Sequence, residues 1–290
     1  MFEGSMVAIV TPFKKGRIDE KAFLGLVNWQ IEQGTHAIIP CGTTGESATL
    51  DYEEHYRVIE LAVQAAKGRV PVIAGTGANS TDETIMMTKK AIELKADGAL
   101  LVAPYYNKPT QKGIYLHYKA VGAAVKGFPL VLYNVPGRTA LNILPETVAR
   151  LSEIKNIVGI KEATGDMKQA SEIIRLCGSG FDVYSGDDFT TLPMYALGGR
   201  GAISVTANIA PAREAALWEA WKSGDRGKAL RLHYELEPLN KAMFLETNPI
   251  PVKTALAMMG RIKEEFRLPL CEMSEENKKR LEKTLSETGL

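Results

Sequence analysis

The chain has 290 residues, of which 45% are hydrophobic and 24% charged, a composition typical of ordinary soluble globular proteins. Its 35 basic and 34 acidic residues leave a formal net charge of +1, which excludes a strong electrostatic footprint for nucleic acid or an anionic membrane. The length allows two average domains, or one large α/β domain with an appendage.

The start of the chain does not resemble a secretory signal, because Glu3 is acidic and the apolar run ends at Thr11 and Pro12. No stretch approaches the ~20 consecutive apolar residues that span a bilayer. The three cysteines are odd in number and scattered, so we expect no disulfide framework. We therefore expect a cytoplasmic protein without membrane or nucleic-acid partners.

Eight short β-rich runs alternate with longer helical stretches. The runs are nearly continuous in Val, Ile and Leu, which is typical of parallel strands covered on both faces. They lie at residues 6–13, 36–42, 70–77, 98–106, 129–136, 156–164, 181–188 and 201–209. Eight strand–helix units favour a (β/α)8 TIM barrel, which typically takes ~250 residues. A doubly wound sheet is the alternative, but the glycine-rich nucleotide loop expected after its first strand is replaced by TPFKKGRID.

The segments between the runs carry helix signals. In DYEEHYRVIELAVQAA the apolar residues recur at intervals of three and four, and STDE at 80–83 has the pattern of a capping box. After about residue 224 the pattern is wholly helical. We therefore predict a catalytic barrel over 1–224 and a C-terminal helical domain over 225–290.

Polar side chains collect where the predicted strands end, the face that carries active sites in such barrels. The four histidines are far apart and lack metal-ligand spacing. Asp187 and Asp188 are adjacent at a strand end and would point to opposite faces, so they fit turn or cap roles better than a magnesium site. No nucleotide, flavin or pyridoxal motif appears, and we expect neither metal nor cofactor.

Lys161 directly follows the apolar stretch 157–160. Taken alone, the segment also fits a lysine with a buried stem and an ammonium in water. At a barrel strand end, however, a lysine can attack a ketone to form a Schiff base, and burial favours the neutral amine that attacks. Lys253 is a rival, but it lies just inside a helix start, where we expect solvation. Lys108 and Lys112 lie in a polar loop and also look solvated.

Four further residues near the strand ends allow two interpretations each. Tyr133 fits a half-buried packing residue or a proton relay beside the reacting carbon. Thr43 and Thr44 fit turn caps, or donors to a small carboxylate. Arg138 fits a surface position or a guanidinium that binds a carboxylate at the mouth of the site.

The motifs CGTTGES, PYYN, YNVPGRT, GIKEATGD, SGDD and NPIPVK together resemble the dihydrodipicolinate synthase family, over essentially the whole chain. The resemblance implies a (β/α)8 lyase that condenses pyruvate with L-aspartate 4-semialdehyde. This reaction is the first committed step towards diaminopimelate and lysine. The resemblance also implies a homotetramer arranged as a dimer of dimers.

By matching motif, the resemblance implies that Lys161 forms the Schiff base and that Tyr133 passes protons. Tyr133 would be linked through Thr44 to Tyr106, which the family donates across a subunit interface. Thr43 and Thr44 would hold the pyruvate carboxylate.

The resemblance further implies that Arg138 holds the carboxylate of the semialdehyde, while Gly186 and the carbonyl of Ile203 line the pocket. It implies a feedback site for L-lysine as well. That site would consist of Ser47, Ala48, Tyr52, His55, Asn79, Glu83 and Tyr105. Tyr52 departs from the histidine or tryptophan of several inhibited members. Two members of this set also fit purely structural roles: Glu83 as part of the capping box, and His55 as a helix-surface residue.

Two other functions stay open on the sequence alone. N-acetylneuraminate lyases and 2-keto-3-deoxy sugar-acid aldolases share the barrel and the lysine, but they characteristically lack the GRT ending that contains Arg138. A non-enzymatic sugar-acid binding or regulatory protein on the same barrel would be expected to have lost the lysine, the tyrosine or the GTTGE loop. All three are present here.

Overall fold

The computed structural model describes residues 2–290. Within this range, all eight predicted strands are present and form one sheet, and a two-stranded hairpin is added. The strands are β1 (Gly4–Ala8), β2 (Phe13–Lys14), β3 (Arg17–Ile18), β4 (Ala37–Ile39), β5 (Ile73–Gly75), β6 (Gly98–Val102), β7 (Leu130–Asn134), β8 (Ile157–Glu162), β9 (Asp182–Ser185) and β10 (Gly201–Ser204). The sheet order is β4-β1-β10-β9-β8-β7-β6-β5, and β2 pairs with β3.

Helices follow the strands in regular alternation and continue to the end of the chain. They are α1 (Glu20–Glu32), α2 (Tyr52–Ala66), α3 (Thr81–Glu93), α4 (Gln111–Ala124), α5 (Pro136–Thr139), α6 (Pro145–Ser152), α7 (Met167–Cys177), α8 (Thr191–Leu197), α9 (Pro211–Lys222), α10 (Arg226–Ala242), α11 (Ile250–Met258) and α12 (Glu275–Thr288). The eight parallel strands and their helices confirm the predicted (β/α)8 fold class with its C-terminal helical extension. The domain boundary at 224/225 stays a prediction.

The first predicted run, 6–13, is wrong at its far end. The parallel strand β1 stops at Ala8, and Phe13 instead pairs antiparallel with Ile18. Lys15 and Gly16 between them have φ angles of 55° and 75°, which is the backbone of a tight hairpin. The turn chemistry of KKG therefore overrides the apolar pattern.

Helix-start signals in the sequence correspond to helix starts in the structure. Asp51 and Glu54 form a complete capping box at α2, with each side chain bonded to the other residue's backbone N–H. Ser80 caps α3 by accepting from the backbone N–H of Glu83. The STDE signal therefore marks a real helix start. Among residues 2–290 no helix is long and apolar enough to cross a membrane.

The chain divides into two compact units. The first comprises the segment ending at Glu3 together with Pro71–Ile203, and the second comprises Gly4–Val70 together with Ser204–Leu290. The first unit contains a buried apolar cluster in which strand residues such as Leu132 and Ile160 pack with helix residues such as Tyr118. This packing removes the outward faces of β6, β7 and β8 from water.

His117 of α4 is a buried histidine in the first unit. Its side chain is 6% exposed, its Nδ1 lies 3.0 Å from the Thr81 hydroxyl, and its Nε2 lacks a hydrogen-bond partner among the described residues. Burial lowers the pKa of His117 to about 4, because the charged imidazolium is poorly solvated there. The unfolded chain, with a histidine pKa of about 6.5, therefore takes up this proton before the folded chain does.

We expect His117 to make the fold less stable as the pH falls. The folded pKa is lower than the unfolded one, so the stabilisation is complete above pH ~6.5 and is lost progressively towards pH ~4, by an amount on the order of 3 kcal/mol. Denaturant unfolding at several pH values should show that the free energy of unfolding falls less steeply with decreasing pH in His117→Gln than in the wild type. Equal slopes for the two proteins would contradict the assignment.

Candidate active site

Lys161 and Tyr133 occupy neighbouring strands at the same level of the first unit. Tyr133 of β7 pairs in register with Lys161 of β8. Both side chains are buried, at 7% and 4% exposure, and Lys161 Nζ lies 4.4 Å from the centroid of the Tyr133 ring. The alternative that Lys161 extends its ammonium into water is therefore wrong.

The stem of Lys161 runs directly over Gly186, the residue that follows β9. A Cβ built on Gly186 would lie 2.9 Å from both Cγ and Cε of Lys161 and 2.6 Å from the Ala163 Cβ. These separations are too short for real Cβ atoms, so glycine is required here for close packing rather than for an unusual φ. Ile203, on β10, is 1% exposed.

A buried carboxylate lies beside Lys161 in sequence but on the opposite face of the strand. Glu162 is 1% exposed and accepts hydrogen bonds from the side chains of Asn134 (3.0 Å) and Gln169 (3.1 Å) and from the backbone N–H of Thr164 (2.8 Å). Three N–H donors from neutral groups thus compensate its burial. Glu162 is not among the residues predicted from the sequence, although a glutamate inside an apolar strand indicates a buried polar role.

This network also anchors the segment that follows the short helix carrying Arg138. Asn134 donates to Asn142 Oδ1 (2.8 Å) and accepts from the Ile143 N–H (3.0 Å), so the middle of the connection between α5 and α6 is tied to β7. Arg138 lies on the short helix α5 and is exposed. The carboxylate of Glu162 and the segment that follows α5 thus share one set of hydrogen bonds.

Thr43 and Thr44 lie in the second unit, on the 3-10 turn Thr43–Gly45. Thr44 is 2% exposed, and its hydroxyl accepts a hydrogen bond from Asn248 Nδ2 at 3.0 Å. The carbonyl of Gly45 accepts from the Thr11 hydroxyl at 2.7 Å. The turn is therefore held by two buried hydrogen bonds from distant segments of the second unit.

Lys253 is not solvated, and this prediction was wrong. Its side chain is fully buried in the second unit and forms an ion pair with Glu46, which is also buried. Lys253 Nζ also lies 4.3 Å from the centroid of the Phe13 ring. Burial lowers the pKa of Lys253, and the carboxylate of Glu46 opposes that shift by favouring the ammonium. Its amine is thus occupied by the ion pair, which removes Lys253 as a rival nucleophile.

Members of the predicted feedback site occur in both units. In the first unit, Asn79 Nδ2 donates to the Tyr105 carbonyl at 3.1 Å. Burial, and secondarily the charge of Glu83, raises the pKa of Tyr105. In the second unit, the remaining members are Ser47, Ala48, Tyr52 and His55. His55 is 4% exposed, so it is not the helix-surface residue that the sequence allowed.

Tyr106 differs from the other predicted catalytic residues in its exposure. It is 89% exposed and has a φ of 71°, a conformation that is uncommon for a bulky residue. Asp187 accepts from the Phe189 N–H at 3.3 Å at the start of a 3-10 turn, which agrees with the predicted cap role. No group of three or more potential metal ligands occurs among residues 2–290.

Sequence and structure comparisons give the same family for the whole chain. The model of the dihydrodipicolinate synthetase family matches residues 1–288. The 4-hydroxy-tetrahydrodipicolinate synthase of Thermodesulfovibrio yellowstonii is 70% identical over 290 residues, covering 100% of this chain and 99% of the relative.

Two solved structures have nearly the same fold as this chain. The chloride-inhibited dihydrodipicolinate synthase from Acinetobacter baumannii, complexed with pyruvate, has a TM-score of 0.98 and 49% identity, and covers 100% of this chain and 99% of its own. The enzyme from Cyanidioschyzon merolae with lysine bound has a TM-score of 0.97 and 40% identity, with the same coverage.

We expect Gly186→Ala to destabilise the first unit, because the added methyl group would displace the Lys161 stem or the Ala163 backbone. Overpacking of this kind costs ~1–3 kcal/mol. Chemical denaturation should therefore show a lower free energy of unfolding for Gly186→Ala. Gly180→Ala is the matched control, since a Cβ at Gly180 meets nothing within 4 Å. Equal losses in the two variants would show that the packing over Gly186 is not tight.

Proposed function

We propose that this chain, which belongs to the dihydrodipicolinate synthetase family, condenses pyruvate with L-aspartate 4-semialdehyde to give 4-hydroxy-tetrahydrodipicolinate. The family predicted from the motifs is confirmed by matches along the full chain. The chain is accordingly a lyase of lysine and diaminopimelate biosynthesis. The same matches argue against the sugar-acid lyases and against a non-enzymatic barrel.

The observation that carries the mechanism is the buried lysine beside the tyrosine ring. In the proposed reaction the Lys161 amine adds to C2 of pyruvate, and loss of water gives an iminium. Removal of a methyl proton then gives an enamine, whose carbon attacks the aldehyde of the semialdehyde. That attack restores the iminium, and the aldehyde oxygen takes up a proton to become the hydroxyl group. The amine of the semialdehyde finally adds to the restored iminium carbon, closes the ring and expels the Lys161 amine.

Tyr133 is proposed to carry protons during these steps, because the dehydration and the enamine formation each need a proton to arrive or leave beside the lysine. The in-register pairing with Lys161 and the 4.4 Å separation of ring centroid and Nζ support this role. A phenol serves both directions, since its oxygen donates and accepts. Thr44 is proposed as the next group in the relay.

The substrate carboxylates are assigned to two different segments. Thr43 and Thr44 are proposed to hold the carboxylate of pyruvate through hydroxyl and backbone N–H groups, and Arg138 to bind the carboxylate of the semialdehyde. The exposed position of Arg138 on the short helix α5 supports a role at the mouth of the site. Gly186 and the carbonyl of Ile203 are proposed to line the pyruvate pocket.

The proposed function includes assembly into a homotetramer and inhibition by L-lysine. Tyr106 is proposed to complete the relay of a partner subunit in a homotetramer, and its 89% exposure supports an intermolecular role. The residues Ser47, Ala48, Tyr52, His55, Asn79, Glu83 and Tyr105 are proposed to bind L-lysine. The relative with lysine bound supports this assignment, and the carboxylate of Glu83 suits an amino group.

Borohydride reduction in the presence of pyruvate tests the covalent step. We expect a reduced pyruvyl group on the peptide that contains Lys161, detected by peptide mass, and no such adduct in Lys161→Ala. Lys155→Arg, which changes an exposed lysine just before β8, should label like the wild type. An adduct on Lys253, or none on the wild type, would refute the assignment of Lys161.

A coupled assay with added L-lysine tests the substrate pair and the regulatory site together. Pyruvate and L-aspartate 4-semialdehyde should turn over, whereas N-acetylneuraminate and 2-keto-3-deoxygluconate should not. L-Lysine should inhibit, and Glu83→Gln should raise the inhibitory concentration ~10-fold or more, because a charge-assisted hydrogen bond is weakened.

Glu93→Gln, which changes an exposed glutamate at the other end of α3, is the control and should keep the wild-type inhibition. An unchanged inhibitory concentration in Glu83→Gln would remove that residue from the regulatory site.

A further inference from the structure

The segment that follows β6 turns sharply at Tyr106. The Asn107 N–H donates to the Tyr105 carbonyl at 2.8 Å, and Tyr106 between them has a φ of 71°. A hydrogen bond between residues i and i+2 around a positive φ is the pattern of a classic γ-turn, which is rare and strained. Backbone strain of this kind persists only where the surrounding structure holds it in place.

Two asparagine side chains hold this γ-turn against the segment that follows β5. Asn79 Nδ2 donates to the Tyr105 carbonyl at 3.1 Å, and Asn107 Nδ2 donates to the Asn79 carbonyl at 2.9 Å. The Tyr105 carbonyl thus accepts two hydrogen bonds, one from within the turn and one from Asn79. The residues on both sides of Tyr106 are therefore fastened to Asn79.

The segment that carries Asn79 is itself fixed to the sheet and to α3. A Cβ built on Gly77 would lie 2.3 Å from the backbone nitrogen of Val102, so only glycine lets this segment lie directly against the end of β6. The Ala78 N–H donates to the buried hydroxyl of Thr84 at 3.0 Å. Asn79 therefore provides a fixed point from which the γ-turn is held.

The γ-turn leaves Tyr106 on the outside of its own subunit. The residue is 89% exposed, whereas Tyr133 and Lys161 are buried. No buried contact within the chain offsets the strain at Tyr106, because nearly all of its surface is open to solvent. A catalytic group that acts in another subunit's site must be held in its working geometry, since small misplacements are costly.

We propose that Asn107 is a positioning residue, whose side-chain amide holds Tyr106 in the γ-turn so that the phenol enters the active site of a partner subunit. The inference rests on the proposed function, because it requires Tyr106 to act across a subunit interface. Asn107 acts only through Tyr106. Asn79 holds the turn as well, but it is also proposed to bind L-lysine, so substitution of Asn107 isolates the effect of the turn.

Asn107→Ala tests the role of the amide. Without the amide the turn is free to relax to a negative φ, which moves the phenol. We expect kcat to fall ~100-fold, the scale that a misplaced catalytic group costs, while the midpoint of denaturant unfolding stays that of the wild type. Asn107→Asp keeps the shape of the side chain but lacks the N–H donor, so it should lose as much. Lys112→Ala, at an exposed position of α4, is the control and should keep the wild-type kcat.

Mixed dimers show which active site the turn serves. Under the inference, each site of a two-fold dimer uses Lys161 of one subunit and the γ-turn of the other. When Asn107→Ala and Lys161→Ala are co-expressed in equal amounts, half of the dimers are mixed and contain one complete site, so we expect about a quarter of the wild-type activity. Tyr106→Phe with Lys161→Ala should regain the same fraction. Tyr133→Phe with Lys161→Ala should stay inactive, because both residues belong to the same site.

An unchanged kcat in Asn107→Ala would overturn the inference. So would a loss that Lys161→Ala does not restore although it restores Tyr106→Phe, because Asn107 would then act within its own subunit. If Lys161→Ala restores neither variant, the intersubunit role of Tyr106 in the proposed function is itself refuted. The Tyr106→Phe mixture therefore distinguishes the two failures.

Discussion

The in-register pairing of Tyr133 with Lys161 is the constraint on which the first unit depends. Side chains alternate along a strand, so the same register that brings the phenol beside the amine turns Asn134 and Glu162 to the other face. There the carboxylate meets N–H donors only from neutral groups, among them Asn134 and Gln169. A shift by one residue would exchange the two sets and bury the glutamate where the lysine now lies. The apolar cluster beneath the strands therefore fixes the chemistry as well as the fold.

Close packing supports the lysine from the neighbouring strand. Because Gly186 offers no Cβ, the Lys161 stem is held against the backbone after β9 rather than against a movable side chain. Arg138, by contrast, lies on a four-residue helix, and the segment after that helix is bonded to Asn134 through Asn142 and Ile143. The group proposed to form the covalent bond thus lies on the sheet, and the group proposed to choose the second substrate lies on a short helix within the connection between β7 and α6. A loop can vary without disturbing strand register.

Most of the strands, the helix starts and the position of Lys161 could be predicted from the sequence. The same reasons explain why Lys253 and Glu162 were not predicted correctly. The strand runs, the helix caps and the position of Lys161 depend on residues close together in the chain, and these predictions agree with the structure except at the far end of the first run. Lys253 was misjudged because its environment is created by Glu46, 207 residues away, while the local Pro-rich helix start indicated only an exposed first turn. The role of Glu162 was missed because its donors Asn134 and Gln169 belong to other elements. Long-range partners of buried polar groups leave little trace in a local pattern.

The second unit joins the two ends of the chain, and this has a consequence for biosynthesis. Three buried hydrogen bonds join residues that are far apart in the chain. They link Val10 with Asn208, Thr44 with Asn248 and Glu46 with Lys253, over separations of 198, 204 and 207 residues. At a translation rate of ~5–20 residues per second, about 10 to 40 s pass between the synthesis of Glu46 and that of Lys253. During that interval the GTTGE turn and its carboxylate lack the partners that bury them. Residues 71–203, whose internal contacts are complete earlier, are free to fold first on the ribosome, and the N-terminal strands then complete their unit only after the last helices emerge.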